Sequence, residues 1–148
     1  MLKIYLDNCC YCRPFDDLSH EKVNNEAMAK LFIQSLIKFK SLALYYSFMS
    51  LAEIDDNPRK EVNTHILDFI GNNATAFVGD KHTDVLKILT NEAMQAGIKI
   101  KDATHLACAT FAKCDYFITT DKQLLKYKTS QIKIANPVEF VTIWRENI

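Results

Sequence analysis

"KDATHLACATFAKCDYFITTDKQLLKY", residues 101–127, carries three local patterns in a row. Its first half is a run rich in small residues, which suits a closely packed helix. "DYFITT" is apolar and β-prone and reads as a strand, and "DKQLLKY" reads as a short helix. Helix, strand and helix in succession are the signature of an α/β protein.

The same alternation extends outward in both directions. "LKIYL" (2–6) is a short apolar run suited to a buried strand, and residues 22–39 place Val23, Ala27, Leu31, Ile33, Leu36 and Ile37 near helical spacing. "LALYYS" (42–47) reads as a strand, followed by a short helix "MSLAEID" (49–55) that must end before Pro58. Residues 59–71 and 83–96 are amphipathic helices, the second stopping at Gly97. "IKIA" (132–135) is the last of four strands, and "PVEFVTIW" (137–144) is a terminal helix with Pro137 at its start. The alternation predicts an α/β sandwich with a mainly parallel central sheet. With no repeat, low-complexity tract or boundary in view, residues 1–148 are expected to form one domain.

Composition agrees with a globular chain that buries a sizeable core. Of 148 residues, 49% are apolar and 24% charged, and only three glycines and three prolines leave little room for linkers. "MLKIYLDNCC" is too short and polar for a signal peptide, and no apolar run approaches the ~18 residues of a membrane span. A cytoplasmic protein is the expectation. Formal net charge is zero, yet residues 99–133 hold seven lysines against three aspartates. Such a surface beside carboxylates could attract a phosphate backbone, and plain solvated lysines fit the charge equally well.

The acids fall where an α/β sheet places ligands, outside the carboxyl ends of its strands. Asp7 ends the first strand, and Asp121 ends "DYFITT" at the entry to a helix. Asp102 opens the "KDATHLACA" helix, where a carboxylate is favoured by the helix N-terminus. Glu53 lies in the short helix after the second strand, with Asp55 and Asp56 as competitors. Singly, each has an ordinary explanation: Asp102 and Asp121 as N-caps, Glu53 as a solvated charge. Together, four acids from four segments are hard to obtain from capping alone. Converging carboxylates repel unless a cation joins them, and hard ions such as Mg²⁺ or Mn²⁺ prefer oxygen ligands. The chemistry this suggests is metal-dependent phosphodiester hydrolysis.

At this point "IYLDNCC", the "LAEI" acid, "IKDATHLACA" and "DYFITTDKQLL", taken in order and spacing, resemble the PIN-domain family. The stretch "LDNCCYCRPFDD" further resembles a bacterial subgroup related to VapC-type toxins. The resemblance spans Leu2 to about Val141. It implies a three-layer α/β/α sandwich and an Mg²⁺- or Mn²⁺-dependent nuclease that usually acts on RNA. By matching motifs it gives Asp7, Glu53, Asp102 and Asp121 the metal-binding and catalytic positions, with Asp115 a weaker candidate for the place of Asp121. Asn8 stands where many members carry Thr or Ser. An antitoxin partner would follow from the toxin subgroup. Dimerisation is common in related toxins, but no stripe in this sequence establishes a homodimer.

Other residues support that chemistry less directly. Thr119 and Thr120 could orient Asp121 or a metal-bound water, or could simply be β-formers. His105 follows Asp102 by three residues and fits a hydrogen-bonded structural histidine better than a general base. Arg13 could meet a phosphate or pair with Asp16 or Asp17.

Cys9 and Cys12 have C-x₂-C spacing, but Cys108 and Cys114 are separated by five residues and would complete a zinc site poorly. The cysteines are therefore expected to pack behind the site as small hydrophobes. A metal-dependent endoribonuclease is the leading reading. A non-catalytic RNA- or protein-binding module of the same fold is the alternative. A flap-type DNA nuclease is disfavoured because the chain is short and shows no inserted arch.

Overall fold

The computed structural model describes residues 1–12 and 21–147. Arg13, Asp16, Asp17 and the side chains of Cys12 and Val23 lie outside the described residues. Five strands are present among those described: β1 (Leu2–Leu6), β2 (Leu42–Ser47), β3 (Ala76–Val78), β4 (Tyr116–Ile118) and β5 (Lys133–Ala135). All pair in parallel, in the order β3-β2-β1-β4-β5. The helices among the described residues are α1 (Asn8–Cys12), α2 (Glu21–Lys38), α3 (Phe48–Asp56), α4 (Lys60–Asn73), α5 (Thr83–Gln95), α6 (Ile100–Phe111), α7 (Lys122–Lys126) and α8 (Pro137–Glu146).

The strands are apolar on both faces because helices cover both. Along β1, Ile4 and Leu6 enter one core cluster and Tyr5 the other, as side chains alternate across a sheet. Along β4, Tyr116 and Ile118 face the first cluster and Phe117 the second. Helices α2, α4 and α8 supply Ile33, Ile37, Ile66, Ile70 and Phe140 to the first. Helices α5, α6 and α7 supply Leu86, Ala93, Leu106, Ala109 and Leu124 to the second. The result is the expected α/β/α sandwich. Burying each of the Ile, Leu and Phe side chains contributes about 1.5–3 kcal/mol, so the central strands are the best-anchored part of the fold.

Two elements were not legible in the pattern. β3 is a three-residue edge strand whose Phe77 is half exposed, too short to show alternation. α1 is a single helical turn of "NCCYC" that starts directly after β1.

The sheet topology creates the crevice. From β1 the chain builds β2 and β3 on one side, then returns to build β4 and β5 on the other. The order reverses between β1 and β4, and ligand sites of open α/β sheets lie beyond the carboxyl ends at such a switch. Among the described residues no helix is long and apolar enough to cross a membrane.

Candidate active site

Asp7 is the first residue past β1, and its amide bonds the Ile118 carbonyl at 2.9 Å, extending the β1–β4 ladder. The residue is buried, only 5% exposed, and each of its carboxylate oxygens accepts a hydrogen bond while keeping a lone pair to spare. Oδ1 accepts the Asn8 amide at 2.8 Å, and Oδ2 accepts the Thr119 hydroxyl at 2.8 Å. Asn8 reaches the other way, donating from Nδ2 to the Ser50 carbonyl at 3.1 Å, and so fastens α1 to α3.

Glu53 is placed by a capping box. Ser47, the last residue of β2, accepts the Met49 and Ser50 amides, and Ser50 Oγ accepts the Ser47 amide in return. That box starts α3 directly from the strand end, and Glu53 sits one turn beyond Ser50. Glu53 Oε1 bonds the His105 ring at Nε2. Asp55 and Asp56 point to solvent, and Asp56 pairs at 3.9 Å with Lys101.

Asp102 lies in the first turn of α6, inside the helix rather than at its cap, which is Lys99. Gly97, at φ +95°, ends α5 with a backbone twist that only glycine adopts without strain. Its carbonyl accepts Gln123 Nε2 from α7. That bond ties the turn before α6 to α7. Asp121 is the N-cap of α7 and accepts the Leu124 amide at 3.0 Å. The capping explanation thus holds for Asp121 and fails for Asp102.

The four acids line one open cleft of about 560 Å³, together with Cys9, Thr120, Lys122 and Gln123. Asp102 senses the others. Burial first, then the charges of Asp7, Asp121 and Glu53, push its carboxyl up to about 6, with His105 opposing. Excess negative charge is therefore concentrated at this point. The donor chemistry fits a hard divalent cation, since the lining offers carboxylate oxygens and a single thiol. Among the described residues, no three His, Cys, Asp or Glu side chains already converge as a preformed metal cage. Each of Asp7, Glu53 and Asp121 instead leans on its own protein partner.

The structure separates the other candidates. Asp115 stands at the opposite end of β4, where Oδ2 accepts the Lys3 amide at 2.8 Å. It borders a larger, mostly apolar cavity of about 760 Å³ with Phe140 and Trp144 at the amino ends of the strands. Thr119 is fully buried and bonds Asp7, whereas Thr120 donates to Cys9 Sγ at 3.1 Å. His105 is fully buried and hydrogen-bonded at both ring nitrogens, as expected of a structural histidine.

The cysteines divide. Cys10 packs into the first core cluster, and Cys108 and Cys114 pack into the second, across the sheet. Cys9 packs against the first cluster, so among the described residues Cys9, Cys108 and Cys114 do not converge on one zinc ion. Cys9 departs from the expectation of packing behind the site, because its thiol lines the cleft 3.5 Å from Asp7 Oδ2. The hydrogen bond from the Cys10 side chain holds the Cys9 thiol below its usual value. Lys122 and Gln123 also line the cleft; the sequence signal for them was their place just after Asp121.

No family model matches the chain, and no curated protein matches it. Among solved structures it is similar to a chain of VapBC2 from Rickettsia felis, crystallised bound to a DNA fragment from their promoter, with a TM-score of 0.64. The two are 16% identical, over 91% of this chain and 98% of that chain. The fold is PIN-like. At that identity the likeness speaks to the fold, and the cleft at the switch point speaks to the site.

Proposed function

We propose that this chain is a single PIN-like nuclease domain, a metal-dependent endoribonuclease of the VapC toxin type that works with an antitoxin partner. The observation that carries the reading is the cleft itself. Four carboxylates from the ends of β1 and β4 and from α3 and α6 line one opening at the topological switch. Capping explains one of them and leaves Asp102 in an unfavourable field. RNA as substrate rests on the family resemblance, with the PIN-like fold in support.

Asp7, Glu53, Asp102 and Asp121 would hold Mg²⁺ or Mn²⁺. The bound ion supplies positive charge beside a scissile phosphate and lowers the pKa of a coordinated water. Asp7 is the most rigid of the four, since two hydrogen bonds at 2.8 Å fix both of its oxygens. Asp102 is raised by burial and by the charges of its neighbours, and a cation in the cleft would offset that repulsion and favour its ionised form. Lys122, on the rim, offers an ammonium to a flanking phosphate.

The purified protein should cleave single-stranded RNA with Mg²⁺ or Mn²⁺ and stop on adding EDTA. An Asp7→Asn variant that cuts as fast as its parent would sink the assignment of that residue. The second reading, a non-catalytic RNA- or protein-binding module, is favoured by the way Asp7, Glu53 and Asp121 are each held by protein partners. It expects RNA retention that survives both EDTA and Asp102→Asn, with no cleavage of any RNA tested.

A further inference from the structure

We propose that His105 and Tyr5 are positioning residues that aim the Glu53 carboxylate into the acidic cleft through a one-way chain of protons. The inference rests on the metal-dependent reading of that cleft.

The direction of the chain is set at its Glu53 end, and the protons and lone pairs around Tyr5 are compatible with it. Tyr5 Oη lies 2.6 Å from Ser47 Oγ, 3.0 Å from Ser50 Oγ and 2.6 Å from His105 Nδ1. A serine oxygen has two lone pairs. Ser47 Oγ already accepts two amides, Met49 at 3.2 Å and Ser50 at 3.4 Å, so its proton is available to Tyr5 or to the neighbouring Cys108 sulfur. Ser50 Oγ accepts the Ser47 amide at 3.1 Å and has its own proton to give. If Tyr5 takes both serine protons, its lone pairs are full and its own proton is directed at His105 Nδ1.

The imidazole then has one arrangement as a neutral ring. Nδ1 accepts from Tyr5, and Nε2 carries the proton that it donates to Glu53 Oε1. The reverse tautomer would set the bare lone pair of Nε2 against a carboxylate oxygen, which repels it. The second ring contact of a histidine commonly fixes its tautomer in this way.

Packing holds the chain rigid. Tyr5 and His105 are fully buried, and Tyr5 stacks on Phe117 with centroids 5.4 Å apart and 11° between planes. Glu53, by contrast, keeps 25% of its side chain exposed on a short helix. Without the ring it would lose the bond that selects one rotamer, and a flexible carboxylate ligates less well. With Oε1 taken up by His105, Oε2 is the atom offered to a cation.

The test reads the ring in the metal-free protein and the metal separately. Long-range ¹H–¹⁵N spectra at pH 8 should find His105 protonated at Nε2 and bare at Nδ1. Mn²⁺ binding, followed by electron paramagnetic resonance, should weaken about 10–100-fold in His105→Leu, the usual cost of losing a ligand's supporting contact. Tyr5→Phe, which keeps the ring and its volume, should weaken it in the same direction. His105→Gln, which restores an N–H donor near the Nε2 position, should recover most of the affinity.

A proton on Nδ1 of the parent protein overturns the proposal. So does parent-like Mn²⁺ affinity in Tyr5→Phe, or in a folded His105→Leu. A parent that shows this pattern of Mn²⁺ binding yet cleaves no RNA sinks the nuclease reading and leaves the positioning role standing. A parent that cleaves RNA while both variants bind Mn²⁺ normally does the reverse. A parent that binds no Mn²⁺ removes both.

Discussion

Thr119 Oγ1 donates to Asp7 Oδ2 at 2.8 Å and accepts the Asp121 amide at 3.0 Å, so one buried hydroxyl ties the ends of β1 and β4. Two of the four candidate ligands thereby share a single support. Thr119→Val keeps the shape and removes both bonds. Leaving a buried acceptor unsatisfied costs about 1–3 kcal/mol, and loss of a ligand's support commonly costs about 10–100-fold in metal affinity or activity. Thr119→Ser should restore both. Thermal melts and Mn²⁺ titrations of the pair check this, and equal Mn²⁺ affinity in Val and parent proteins would refute it.

Asp102 carries a charge that the metal-free protein would rather lose. Its carboxyl is raised from 3.8 to about 6, by burial first and by Asp7, Asp121 and Glu53 next. A raised folded-state value means that stability is fully present below the unfolded value near 4 and is lost as pH climbs through about 6. Asp102→Asn should therefore stabilise the metal-free protein at pH 8 and make little difference at pH 4. The side chain is only partly buried, so solvent screening holds the gain to the order of 1 kcal/mol. The same variant should lose metal-dependent cleavage. Melting in EDTA at the two pH values measures the first effect, and a variant less stable than its parent at pH 8 would contradict it.

Much of this arrangement was legible because parallel sheets put function at strand ends. Asp7 and Asp121 could be found by asking where "LKIYL" and "DYFITT" stop, and Asp102 by asking where the "KDATHLACA" helix starts. The same logic separates Asp121 from Asp115, since β4 runs between them and carries one to each pole. What escaped was short or long-range. β3 offers three residues at an edge, and α1 is a single turn. That turn also points Cys9 into the cleft and Cys10 into the core, a split that adjacent thiols give no hint of in sequence. The Tyr5–His105 bond joins residues a hundred positions apart, and neither has a neighbour that marks it.

Asp115 supplies a control at the far pole. Its Oδ2 accepts the Lys3 amide, and its own amide bonds the Lys3 carbonyl at 2.7 Å, so its role is to fasten the start of β1 to the start of β4. Asp115→Ala should cost about 1 kcal/mol of stability, the worth of one such bond, and leave metal-dependent RNA cleavage unchanged. If cleavage fell as far as in Asp7→Asn with the fold intact, the assignment of the site to the carboxyl ends of the strands would be wrong.

Cys9 gives the cleft a chemical handle that none of the carboxylates has. Its thiol is half-buried at the lining, accepts the Thr120 hydroxyl and lies 3.5 Å from Asp7 Oδ2, while the neighbouring Cys10 is fully buried. Reactivity of a thiol follows access and thiolate character, and Cys10 has neither, because burial pushes its thiol well above the usual value. Iodoacetamide should therefore modify Cys9 ahead of Cys10, setting a carbamidomethyl group between Asp7 and Thr120. Cleavage should fall in proportion to Cys9 modification, read by peptide mass spectrometry. Cys9→Ser keeps a small polar group at the lining, so it should retain cleavage and become insensitive to the reagent. Complete modification of Cys9 with undiminished cleavage would place the reaction outside this cleft.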